Sequence, residues 1–89
     1  MKRFFVYLLE SEKDKKFYIG QTNDINSRLN KHNLGQVSST KNRRPLKLLG
    51  YVGVASRKEA LNTEKDLKSH SDKKLKFIQK FKSDFLWKR

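Results

Sequence analysis

The chain has 89 residues, no cysteine, and 22 lysines and arginines against 9 acidic residues, a net charge of +13. That length suits one domain, and the lack of cysteine excludes a disulfide framework and a thiolate metal cluster. The longest apolar run, Phe4 to Leu9, falls far short of the ~20 residues that cross a bilayer, so no membrane partner is expected and the cytoplasm is the expected location.

The run from Arg3 to Leu9 is dense in aromatic and branched residues and predicts a strand buried on both faces. Tyr7 shares a face with Phe5 and Leu9. A charged turn, Glu10 to Lys15, leads to a second strand over Lys16 to Gln21, close enough to pair as a hairpin, with Tyr18 facing away from Phe17 and Ile19. Thr22, Asn23 and Asp24 supply capping side chains for a helix from Ile25 to Asn33, and Gly35 stands where a left-handed C-terminal cap belongs. On that helix Ile25, Arg28, Leu29 and His32 form one stripe, so a cation and an imidazole share the face that should meet the sheet.

Gln36 to Arg44 is a polar, basic loop, ended by Pro45, the sole proline, which favours extended geometry at Arg44. Leu46 to Val54 predicts a third strand. Ser56 and Glu59 form a capping box for a second helix running to Ser69, with Ala60, Leu61 and Leu67 as its apolar stripe and Glu64 among them. From Ser71 on, Leu75, Ile78, Phe81 and Phe85 recur at helical spacing and predict a third helix. The order ββαβαα implies an α+β domain: a small three-stranded antiparallel sheet flanked by helices, over residues 1–82, with a tail at 83–89.

Tyr7, Tyr18, Arg28, His32 and Glu64 thus stand where a core pattern prefers apolar residues, or beside such positions. Singly, each has an ordinary explanation. Strand tyrosines are usually core with the hydroxyl at the rim, a helical Arg or His usually snorkels or bonds locally, and Glu64 has Lys68 at i+4. As an ordered set they argue for a site.

That set, with the words around it, resembles the GIY-YIG nuclease superfamily. The second name triplet is intact as Tyr18-Ile19-Gly20, and the first reads Phe5-Val6-Tyr7, with Phe5 in place of its glycine. The segment from Tyr18 to Asn33 is similar to the family's hairpin-to-helix text, and the Gly35 loop, Lys41 to Pro45 and Glu64 resemble the small stand-alone bacterial members. The likeness spans about residues 4 to 80; one departure is that no asparagine follows Asn62.

The resemblance implies a phosphodiester endonuclease. Tyr7 would act as general base or orient the attacking water, Arg28 would grip phosphate oxygens, and Tyr18 would hydrogen-bond the scissile phosphate or the water. His32 would do the same or fix Arg28, and Glu64 would hold one divalent ion, Mg²⁺ or Mn²⁺. Lys41, Arg43 and Arg44 are expected to touch phosphates outside the reacting centre, with Ser38, Ser39 and Thr40 as further donors. His70 is expected at the surface. DNA is the first expected substrate and RNA the second, with structure-selective or unspecific cutting, because no base-reading element is visible. The competing expectation is a nucleic-acid-binding module that does not cut, or a subunit that relies on a protein partner for specificity.

Overall fold

A computed structural model describes residues 3–82. The elements follow in the expected order: β1 (Phe4–Ser11), β2 (Phe17–Thr22), α1 (Ile25–Asn33), a 3-10 turn (Lys41–Arg43), β3 (Leu46–Val54), α2 (Arg57–Ser69) and α3 (Ser71–Phe81). The tail at 83–89, and with it Phe85, lies outside the described residues. None of the described helices is long and apolar enough to cross a membrane.

The sheet is antiparallel in the order β2-β1-β3, so β1 is the central strand. Its residues are buried from Val6 through Ser11 because both faces are covered. On one face Val6, Leu8, Ile19 and Val54 pack with Ala60 and Leu67 of α2 and Phe77 and Ile78 of α3. On the other, Tyr7, Leu9 and Leu46 pack with Tyr18, Leu48 and the α1 residues Ile25 and Leu29. Side chains alternate along a strand, so this division follows from register alone. It places Tyr7 and Tyr18 together under α1.

Three details depart from the pattern read in sequence. β1 continues through Glu10, which is 6% exposed. Lys82 Nζ stands 2.9 Å from Glu10 Oε2, and a charge can be buried here because it is paired. On α2 the inward stripe is Ala60, Glu64 and Leu67, whereas Leu61 is 47% exposed. On α3 the buried residues are Phe77 and Ile78, with Leu75 partly covered. Ala60, Leu67 and Ile78 are buried as their spacing suggests, while Leu61 is left outside and Phe77 is drawn in.

Both helices that carry the polar set are well punctuated. Asp24 Oδ1 accepts from the Ser27 amide at 3.1 Å, and Ser56 Oγ from the Glu59 amide at 3.1 Å, while Glu59 returns a bond to the Ala55 amide. α1 ends at Gly35, whose φ of 79° suits glycine. A side chain there would also meet the Arg44 guanidinium, 2.9 Å from where a Cβ would sit.

Candidate active site

Under α1, the Tyr7 hydroxyl lies at the middle of a hydrogen-bonded chain. It receives a bond from Arg28 Nε at 3.3 Å and stands 2.9 Å from His32 Nε2. On its other side His32 Nδ1 is 2.6 Å from Thr40 Oγ1. The Tyr18 ring stands edge-on to His32, centroids 5.1 Å apart, and tilted to Tyr7 at 6.4 Å. Arg28 and His32, four residues apart on α1, therefore reach Tyr7 from above, and Tyr18 flanks it from the neighbouring strand.

His32 and Thr40 are wholly buried. Burial, reinforced by the positive charge of Arg28, pulls the imidazole down from 6.5 to about 4, so it is neutral near pH 7. A neutral ring with its proton on Nδ1 donates to Thr40 and accepts a hydrogen bond from the Tyr7 hydroxyl on Nε2, which engages both ring nitrogens. Burial raises the Tyr7 phenol above its ordinary value; the Arg28 hydrogen bond opposes this, and the charge of Glu64 adds to it. Arg28 is in turn held more firmly protonated, first by that same bond.

The depressed imidazole carries a stability consequence. The unfolded chain binds a proton near pH 6.5 that the folded chain refuses until about 4. This contribution to stability is therefore fully present above 6.5, is lost as pH drops from 6.5 to 4, and changes no further below. The loss is on the order of 3 kcal/mol. Urea unfolding at pH 7, 5.5 and 4 measures it, and His32→Gln should remove that part of the slope. An equal slope in the variant would assign it elsewhere.

Gly20 explains why Tyr7 can lie as it does. The two are directly opposite across β1 and β2, and a Cβ at Gly20 would run into the Tyr7 hydroxyl and stand 2.6 Å from its Cζ. The glycine leaves the trough in which the ring rests.

Glu64 joins from α2, which packs chiefly on β2, the strand of Tyr18 and Gly20. Its Oε2 accepts from Lys68 Nζ at 2.7 Å, and the Lys68 ammonium lies 5.2 Å from the Tyr18 ring centroid. Among the described residues Oε1 takes no hydrogen bond, and no group of three His, Cys, Asp or Glu side chains is placed to hold a metal. The donor chemistry is one carboxylate with one oxygen uncommitted. That fits Mg²⁺, a hard ion that keeps several of its waters.

The basic loop has contacts within the fold as well. Arg43 pairs with Asp14 at 3.1 Å and reaches the Phe17 carbonyl, while Ser11 Oγ donates to the Arg43 carbonyl. Arg44 Nε bonds the Lys41 carbonyl, and its chain lies beside Gly35. Arg43 fastens the loop to the hairpin turn, Arg44 closes back on the loop itself, and Arg44, Lys41, Ser38 and Ser39 are exposed. Thr40, expected as a phosphate donor, is instead buried against His32. Its place in the site had no signal in the sequence beyond its distance of eight residues from that histidine. His70 is exposed and pairs with Asp66.

A family model described as the GIY-YIG catalytic domain matches residues 3–81. A UPF0213 protein of Staphylococcus epidermidis is 37% identical over 81 residues, covering 89% of this chain and 98% of that one, and a Staphylococcus aureus UPF0213 protein matches equally well. A solution NMR structure of a UPF0213 protein from Bacillus halodurans superposes with a TM-score of 0.54 at 30% identity, covering 91% of this chain and 86% of that chain.

Proposed function

The chain belongs to the GIY-YIG catalytic domain family, a family of nucleases, and on that footing we propose that it is a metal-dependent DNA endonuclease with little sequence specificity. The observation that carries the reading is the chain Arg28–Tyr7–His32–Thr40, with Tyr18 beside it. A purely structural tyrosine needs one partner. This one has a cation and a neutral base on the same oxygen.

Hydrolysis needs an in-line water, a route for its proton, and positive charge on the phosphoryl oxygens. Arg28 supplies the charge through the guanidinium nitrogens that Tyr7 leaves available. Tyr7 takes the proton of the attacking water as its own phenolic proton passes to His32 Nε2. The water oxygen bonds to phosphorus, the bond to the leaving oxygen breaks, and that oxygen is protonated by solvent. An arriving phosphate anion offsets the Arg28 charge that helps keep His32 neutral, so the imidazole accepts a proton more readily with substrate in place. Thr40 holds the ring in the tautomer that leaves Nε2 open. Glu64 would hold the ion through Oε1, and the ion, when bound, neutralises charge on the phosphoryl and leaving oxygens.

Incubating the protein with supercoiled, branched and single-stranded DNA in Mg²⁺, Mn²⁺ or chelator tests the reading, alongside Arg28→Lys. Lysine cannot reproduce the fork, so cleavage should fall by about 10²–10³ while DNA is still bound. Cutting that persists in chelator, or that Arg28→Lys leaves unchanged, overturns the assignment. The second reading, a binder that does not cut, is favoured by the Glu64–Lys68 pair. It predicts salt-sensitive binding with no cleavage under any metal condition.

A further inference from the structure

α1 and α2 stand on either side of the β2 edge, and between them opens a cavity of about 280 Å³ next to Arg28. Its lining includes Gln21, Asp24, Arg28, Lys31 and Arg57. Three cations thus surround one concavity. The sole carboxylate among its lining residues, Asp24, is already spent capping α1 through the Ser27 amide.

Four other cations are paired with carboxylates: Arg43 with Asp14, Lys68 with Glu64, Lys73 with Asp66 and Lys82 with Glu10. Lys31 and Arg57 have no acidic partner among the described residues. Arg57 is steadied instead by the Phe4 ring, its guanidinium carbon 5.2 Å from the centroid, which holds the charge in place without neutralising it. Clustered like charges repel, and a concave site focuses their field on an incoming anion.

We propose that this cavity is a subsite for a backbone phosphate flanking the scissile one, held by Lys31 and Arg57 while Arg28 engages the reacting phosphate. The inference rests on the nuclease reading and gives it a direction: the bound strand leaves the Tyr7 centre across the β2 edge, toward the first turn of α2. It places a phosphate contact apart from the Lys41 to Arg44 loop, where Arg43 is taken up by Asp14.

The test is fluorescence anisotropy of a labelled DNA duplex in chelator across a salt series. Wild type is compared with Lys31→Ala/Arg57→Ala and with a charge-matched control on α3, Lys76→Ala/Lys80→Ala. The cavity variant should lower the slope of log affinity against log salt by at least about 0.7, with the same loss on duplexes of different sequence. The control should leave the slope and the cleavage rate unchanged. Equal loss in both variants, or none in the cavity variant while wild type binds and cuts, overturns the subsite and leaves the nuclease reading standing. If wild type neither binds nor cuts DNA, both fall together. Circular dichroism confirms that each variant is folded before its slope is read.

Discussion

Glu64→Gln is expected to lower metal-dependent cleavage by at least about 10³ while leaving the melting temperature within about 4 °C of wild type. Losing the charge stabilisation of a bound ion removes several kcal/mol from the transition state, and each 1.36 kcal/mol is about tenfold in rate. In the resting structure Glu64 makes one partly exposed i,i+4 pair with Lys68, and such pairs contribute roughly 0.3–0.5 kcal/mol. The large kinetic loss and the small thermal change therefore separate the two roles. Thermal melts and initial rates on supercoiled DNA, measured on the same preparations, decide between them. A variant that melts normally and still cuts at the wild-type rate would reduce Glu64 to a surface partner of Lys68. Lys68→Ala provides the complementary check, because it breaks the pair without removing the carboxylate.

Gly20→Ala should have the largest combined effect on stability and activity. The new methyl group has nowhere to go: the atoms it meets belong to Tyr7, which is 2% exposed and held by both Arg28 and His32. Displacing the ring forfeits both bonds and strands a buried imidazole nitrogen. A cost of about 2–3 kcal/mol follows, equivalent to a fall of roughly 8–24 °C in melting temperature for a domain of this size. Cleavage should be lost with the position of the hydroxyl. A double-mutant cycle with Tyr7→Phe isolates the cause, since removing the hydroxyl relieves the closest contact. Coupling of about 1 kcal/mol or more is expected, and additivity would place the damage elsewhere.

These two positions mark how legible the site was. Tyr7, Tyr18, Arg28 and His32 stood out in sequence as polar residues on faces that should be apolar. The structure draws those four together because strand alternation and helical spacing are local rules. Thr40 and the cations of the β2 edge had no such signal. Thr40 lies in a loop among residues that look like phosphate donors, and it reaches His32 only because Arg43 and Ser11 fasten that loop to the hairpin. Lys31 and Arg57 belong to different helices, 26 positions apart in the chain, and become neighbours through the packing of α1 and α2 about β2.

The order of the elements, their caps and the faces of the strands were determined by the sequence itself, since each depends on residues within a few positions of one another. Glu64 shows where that ends. Its register on α2 was plain, but the apolar residues suggested that Leu61 faced inward, whereas the packing buries Ala60 and Leu67, leaves Leu61 exposed and covers Glu64 in part. The one ion-pair partner of Glu64, Lys68, lies on the same helix and was legible at i+4, but the elements that cover the carboxylate come from elsewhere in the chain. Local chemistry therefore determined which residues were unusual. Which of the basic residues are free to meet a phosphate was decided by tertiary structure, because the pairing of charges depends on distances between segments remote in the chain.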